Sequence, residues 1–170
     1  LGGPDVHDAR SGVAHLVADS ERAALELVKQ LLGYLPQNNN EDPPQVTPYD
    51  PANRMDDELN TLIPQDEGEA YDVREILDVI LDRDSFLEIH PAFAPNAGVG
   101  FGRLDGYSVG IVANQPSVMA GVLDIDASDK ISRFIRICDV YNIPVITFVD
   151  CPGFLPGTDQ EYRGVIRHGA

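Results

Sequence analysis

Basic residues are scarce in this chain. Twelve lysines and arginines face 28 aspartates and glutamates over 170 residues, a formal net charge of -16. A surface of that sign repels polyanions, which excludes nucleic acid and anionic membrane surfaces as partners. Cysteine occurs twice, at Cys138 and Cys151, in a spacing that matches no metal motif and builds no disulfide framework. Both read as reduced thiols in a reducing compartment. No apolar run approaches the roughly 20 residues of a membrane span, and no signal peptide is visible. Histidine is limited to His7, His15, His90 and His168, none of which has a second ligand at metal spacing. All four are expected to be structural or surface residues.

The usual catalytic constellations are missing too. Ser11, Ser117, Ser128 and Ser132 lack a nucleophile-elbow context. The run Gly98-Val99-Gly100-Phe101-Gly102 has no following Lys-Ser/Thr and opens no helix, so close strand packing or a bulge explains it better than a phosphate loop. Asp124, Asp126 and Asp129 are accounted for by an N-cap and a polar turn, and Asp5, His7 and Asp8 by a solvated loop. With no convincing acid/base pair, the remaining chemistry is that of main-chain donors and a cofactor.

What is present is an alternation of elements. Asp19 or Ser20 caps a helix from Glu21, with Ala24, Leu25, Val28, Leu31, Leu32 and Leu35 spaced for one buried face, and Pro36 ends it. Pro43, Pro44, Pro48 and Pro51 forbid regular structure across 37–51, and 55–68 is acidic and sparsely apolar. Asp72 caps a helix over 73–81, and a strand is expected over 86–90. Residues 99–104 and 107–113, joined by Asp105-Gly106, predict a hairpin with a type I′ turn. Residues 121–125 predict a short strand, Ser128 or Asp129 caps a helix through Tyr141, and a strand follows over 145–149. Apolar strands alternating with helices predict an α/β core around a buried sheet.

The segment from Val149 to Glu161 joins that last strand to a helical pattern through Cys151-Pro152-Gly153-Phe154-Leu155-Pro156-Gly157. Backbone N–H groups at such a junction can cradle an oxyanion or a carboxylate, and glycine lets a ligand approach the main chain. Taken alone, the turn reads better as an ordinary βα connection. The two ends of the chain read as internal to something longer. Leu1-Gly2-Gly3-Pro4 starts without Met, and His168-Gly169-Ala170 stops inside a helical pattern, so a fragment is expected.

Several motifs in order resemble one family. They are Leu1-Gly2-Gly3 with His7 and Ser11-Gly12-Val13-Ala14, Tyr34-Leu35-Pro36-Gln37-Asn38-Asn39, and Gly100-Phe101-Gly102-Arg103-Leu104-Asp105-Gly106. Gly110 to Pro116, Gly121 to Asp126 and Pro152 to Glu161 complete the set. Together they resemble the carboxyltransferase (beta) subunit of biotin-dependent acyl-CoA carboxylases of the propionyl-CoA type. Methylmalonyl-CoA decarboxylases and transcarboxylases share the motifs.

The resemblance implies a crotonase-like α/β fold, with residues 1–36 as the end of an N-terminal domain, 37–70 as a connector and 71–170 as the first half of a C-terminal domain. It implies carboxyl transfer from carboxybiotin to the α-carbon of a short-chain acyl-CoA, with two developing oxyanions held by backbone donors. The family's two oxyanion turns fall outside these residues, so no catalytic residue is assigned and the fragment is expected to be inactive alone. Gly153, Phe154, Leu155 and Gly157, with Asn114 bordering them, are implied as part of a biotin-side wall. Implied partners are biotin carboxyl carrier and biotin carboxylase subunits, a coenzyme A thioester and further copies in a hexamer, with no membrane insertion. The bacterial cytoplasm is the expected compartment, the mitochondrial matrix its alternative. A non-catalytic assembly module of the same fold and a sibling decarboxylase subunit of a sodium pump remain as alternative functions.

Overall fold

The computed structural model describes residues 2–66 and 68–170. Among these residues, seven helices and one four-stranded sheet follow in the order α1 (Pro4–Ala9), α2 (Glu21–Leu32), α3 (Leu59–Leu62), α4 (Val73–Ile80), β1 (Leu87–Ile89), β2 (Ala97–Leu104), β3 (Tyr107–Asn114), α5 (Ile125–Val140), β4 (Val145–Phe148), α6 (Thr158–Arg163) and α7 (Val165–Gly169). Strand order is β1-β2-β3-β4; the first three strands pair antiparallel and β4 runs parallel to β3. The expected hairpin is present, with Asp105 and Gly106 both at positive φ, as a type I′ turn requires.

Alternation along β2 and β3 decides how the layers stack. Val99 and Phe101 point with Val112 into a cluster that contains Phe134 and Cys138 of α5. Val109 and Ile111 point the other way, onto Leu77 and Leu81 at α4. The glycines of β2 share that second face, and a Cβ on Gly102 would lie 2.7 Å from Leu81 Cδ1. The glycine run therefore serves close packing, of Gly102 against Leu81 and of Gly100 against Phe86 and the β1 main chain. Residues of β2 and β3 are buried almost throughout, whereas β4 alternates exposed and half-buried positions. The expectation of a sheet buried at every strand fails at β4, whose outer edge carries no partner strand among the described residues.

Two further expectations need correction. Helix α2 is capped by Ser20, whose hydroxyl accepts from the Ala23 N–H at 3.2 Å. Its inward residues are Leu27 and Leu31, continued by Leu35, while Leu25, Val28 and Leu32 are exposed. The helix has apolar residues on two overlapping stripes, and the placement of the following Gly33-Tyr34 selects between them. Helix α5 starts earlier than expected, capped by Asp124 through the Ala127 N–H at 2.9 Å. Asp124 takes that role over Ser128 and Asp129 because Asn96, at 3.2 Å, fixes its carboxylate in place.

Two buried cations tie loops to this frame. Arg103, 8% exposed, donates to the carbonyls of Gly33 (2.6 Å), Pro44 (3.0 Å) and Gly106 (2.9 Å), and its guanidinium lies over the Tyr34 ring at 4.7 Å. Tyr34 in turn donates its hydroxyl to the Ser85 carbonyl. Lys130, 2% exposed, gives its three protons to the carbonyls of His90 (2.8 Å), Phe93 (2.8 Å) and Ala94 (3.3 Å), and burial pulls its pKa down to about 8. His90 sits beside it, stacked on His15 with ring centroids 4.0 Å apart and bonded through Nε2 to the Gly12 carbonyl at 3.0 Å. Burial first, then the neighbouring His15, Lys130 and Arg133, lower the His90 pKa to about 4.

Arg103→Ala leaves the Gly33 and Pro44 carbonyls without a donor, while Gly106 keeps the Val46 N–H, and should destabilise the chain by about 3 kcal/mol in urea unfolding. Arg103→Lys should recover part of this, since an ammonium cannot reach all three acceptors. Equal stability of wild type and Arg103→Ala would refute the assignment. For His90, the unfolded ring takes its proton near 6.5 and the folded ring only near 4. Stability is therefore complete above that window and falls as pH drops through it, by up to about 1.4 kcal/mol per unit. His90→Asn, a residue that accepts the positive φ here, should flatten this acid limb; an unchanged limb would assign it to other groups.

Candidate functional site

Strands β3 and β4 are parallel, so their C-terminal ends emerge on the same side, where ligands of open α/β sheets gather. The loops leaving these ends, 115–124 and 149–157, are joined by a short ladder. Leu123 N–H donates to the Gly153 carbonyl at 3.0 Å, and Leu155 N–H to the Leu123 carbonyl at 2.8 Å. The strand expected over 121–125 is reduced to this single parallel bridge between Leu123 and Phe154. Ahead of it lies a tight turn in which Met119, Ala120 and Gly121 all take positive φ. Such a turn cannot extend a strand.

Three buried amides hold the arrangement from beneath. Asn96 donates to the Val122 carbonyl at 2.8 Å. Asn114 donates to the Gly121 carbonyl at 2.9 Å and accepts from the Asp150 N–H at 3.4 Å. Gln115 accepts from the Val73 N–H at 3.1 Å and donates to Asp72 at 2.6 Å, fastening the start of α4. At the outer end, the Gln160 side chain accepts from the Ile125 N–H at 3.1 Å.

The residues singled out from the sequence fall into two groups. Gly153, Phe154, Leu155 and Gly157 lie together on the outer loop. Gly153 and Gly157 adopt φ of 140° and 139°, with nothing within 4 Å of where a Cβ would stand. The N–H groups of Gly153, Phe154 and Gly157 have no protein acceptor among the described residues. Phe154 is 37% exposed, its ring resting against Gly169. This is an open surface of free donors flanked by apolar side chains. Asn114 sits below it, 8% exposed, with its amide engaged on both loops.

The helix expected over 161–170 is two short ones, α6 and α7, broken at Gly164 with φ 87°. Cys138 and Cys151 are free, and burial pushes the Cys138 thiol up to about 12. Of the histidines, His168 pairs with Asp129 at 2.7 Å between α7 and α5. Among the described residues no group of His, Cys, Asp and Glu is arranged to hold a metal. Cavities of about 530 and 520 Å³ lie away from this surface, around Arg54, where the connector meets α4. Arg54 closes that crevice with ion pairs to Asp50 and Asp56 at 2.7 Å each, so we assign it to connector attachment.

Sequence reasoning missed Asn96 and the pair Tyr71–Asp150, whose hydroxyl and carboxylate meet at 2.7 Å, and marked Gln115 only within the Gly110–Pro116 motif. Gly121 was legible only as a strand residue. A Cβ there would stand 2.7 Å from the Asp150 carbonyl oxygen.

The sequence profile of the carboxyl transferase domain family matches residues 1–170. The chain is 57% identical over 170 residues to the carboxyltransferase subunit of propionyl-CoA carboxylase from Haloferax mediterranei, covering 100% of this chain and 33% of that protein. It is 51% identical over 170 residues to methylmalonyl-CoA decarboxylase subunit alpha from Veillonella parvula, again covering 100% of the chain and 33% of the relative. Among solved structures, the transcarboxylase 12S hexamer with methylmalonyl-coenzyme A and methylmalonic acid bound superposes with a TM-score of 0.95 at 48% identity, covering 99% of this chain and 32% of that one. A single-chain, multi-domain long-chain acyl-CoA carboxylase superposes with a TM-score of 0.83 at 30% identity, covering 99% of this chain and 16% of that one. The chain thus spans about a third of the length of the curated relatives it matches. The α/β architecture is the crotonase-like one expected, present in part.

Gly121→Ala should cost about 1–3 kcal/mol in chemical unfolding, combining positive-φ strain with a backbone collision. It should also raise amide exchange over 150–155. Wild-type stability would show that the two loops are not in the close contact described.

Proposed function

Because the chain belongs to the carboxyl transferase domain family, we propose that it is part of an enzyme that moves a carboxyl group between carboxybiotin and the α-carbon of a short-chain acyl-CoA. The observation that supports this best is the match along the entire chain, joined to a superposition of 0.95 on an enzyme holding methylmalonyl-coenzyme A. Since the chain spans about a third of its relatives, the activity is assigned to the whole protein, and these 170 residues are taken to be inactive alone. The division into an N-terminal domain end (1–36), a connector (37–70) and half of a C-terminal domain (71–170) belongs to the same proposal. So do assembly as a hexamer and service by biotin carboxyl carrier and biotin carboxylase partners. A bacterial cytoplasmic setting, with the mitochondrial matrix as its alternative, completes it.

The outer loop fits the biotin side of such a site. Gly153 and Gly157 place no side chain in the way, and free N–H groups face the open surface. Phe154 and Leu155 supply apolar contact for a ring system. When bound, carboxybiotin supplies the carboxyl group. The chain's own part is to hold and orient: Gly153, Phe154, Leu155 and Gly157 form the wall, while Asn114 fixes the distance between the two loops. Main-chain donors held in place stabilise developing negative charge without reorganising, at about 3–4 kcal/mol each. A sibling acyl-CoA decarboxylase is the second reading, favoured by the 51% identity to the Veillonella parvula subunit.

The test uses the whole protein with methylmalonyl-CoA and free biotin, following carboxyl transfer by mass. Transfer is expected, and its absence with every short-chain thioester would overturn the function. Gly153→Val meets no neighbouring atom but forces an L side chain into φ 140°, so it should lose about 1–3 kcal/mol of stability while remaining folded, and lower transfer about tenfold or more by obstructing the wall. Parallel loss of folding and activity would return Gly153 to a turn role.

A further inference from the structure

Asp150 stands two residues past β4, at the start of the outer loop, and is held through both its main chain and its side chain. Its N–H donates to Asn114 Oδ1 at 3.4 Å, and its carbonyl oxygen abuts Gly121. Its carboxylate accepts from the Tyr71 hydroxyl at 2.7 Å. Tyr71 comes from the opposite end of the sequence segment, 79 residues earlier, just ahead of the α4 cap. Its own position is set by Asp72, which Gln115 holds at 2.6 Å. Two neighbouring residues at the end of β3 therefore govern Asp150 by separate routes. Asn114 acts on its main chain directly, and Gln115 acts on its side chain through the start of α4 and Tyr71.

From these contacts we infer that Tyr71 is a positioning residue for the Gly153–Gly157 wall, acting through its hydrogen bond to the Asp150 carboxylate. The inference rests on the proposed role of that wall. Between Asp150 and the Leu123 ladder lie only Cys151 and Pro152, so the direction in which the loop leaves β4 determines where the Gly153 and Phe154 N–H groups face. Tyr71 remains a donor throughout the working range, because burial and then Asp150 push its pKa up to about 12. The bond supports only the loop proposed to serve biotin. Its loss should therefore appear in the handling of biotin and not of acyl-CoA.

The experiment compares wild type, Tyr71→Phe, Asp150→Ala and the double variant in the whole protein, with free biotin and methylmalonyl-CoA as substrates. Tyr71→Phe should raise KM for biotin roughly three- to tenfold, the range that losing one net hydrogen bond allows. KM for methylmalonyl-CoA should stay within about twofold. The double variant should be no worse than the worse single one, because both remove the same interaction. Amide exchange provides the second readout: residues 151–157 should exchange several times faster in Tyr71→Phe, with β2 and β3 unchanged. A biotin KM and exchange pattern equal to wild type would overturn the inference. So would a rise in both KM values with faster exchange across the sheet, which would make Tyr71 a general stability residue. If wild type itself transfers nothing to biotin, the functional reading fails. In that case faster exchange confined to 151–157 still upholds the positioning role, and unchanged exchange removes it.

Discussion

The fold depends on a guanidinium buried among carbonyls. Arg103 draws together the end of α2 at Gly33, the connector at Pro44 and the hairpin turn at Gly106, the last two also joined by the Val46 N–H to the Gly106 carbonyl at 3.1 Å. A cation at 8% exposure is tolerable because three main-chain carbonyls and the face of the Tyr34 ring meet its charge. Tyr34 beneath it closes the hydrophobic cluster of Val99, Phe101 and Phe134. Lys130 does the same for the loop at 90–94, where it is the donor to the Phe93 carbonyl and a second donor to those of His90 and Ala94, which also accept from the Phe93 and Ala97 N–H groups. Neither cation has a carboxylate partner among these contacts. In so acidic a chain, the buried positive charges are neutralised by main-chain dipoles.

How much of this was legible depended on range. The hairpin, the Asp72 cap and the strand at 145–148 follow from residues within a few positions of one another, and they stand as expected. The glycine run was read correctly as close packing at Gly100 and Gly102, where a Cβ would collide with Phe86, the Leu87 carbonyl and Leu81. Errors occur where a distant partner decides. The inward face of α2 is chosen by Tyr34 and Arg103, which lies 70 residues beyond the carbonyl it meets at Gly33. The cap of α5 moved to Asp124 because of Asn96, and the strand at 121–125 shrank to one bridge because of a left-handed turn.

The candidate site divides along the same line. The outer loop was visible as a Pro/Gly-rich break after an apolar strand, and its residues do lie together. Of its supports, Asn96 and Tyr71 were invisible, because they belong to distant segments and no spacing marks them, and Gln115 stood out only within the Gly110–Pro116 motif. Asn114 was singled out through resemblance, as a loop residue bordering the wall. The structure puts its amide underneath, between the two loops.

A surface built from main-chain donors has an unusual mutational signature. Truncating Phe154, Leu155 or their neighbours to alanine removes side chains but leaves every backbone N–H in place. Conventional alanine scanning at Phe154 and Leu155 would thus report their apolar contact alone and leave the main-chain donors unprobed. Information about it resides in changes that alter chain length or backbone torsion, such as insertion of a residue or replacement of an amide by an ester. Natural variation in this stretch should accordingly preserve spacing more strictly than chemistry, apart from the two glycines.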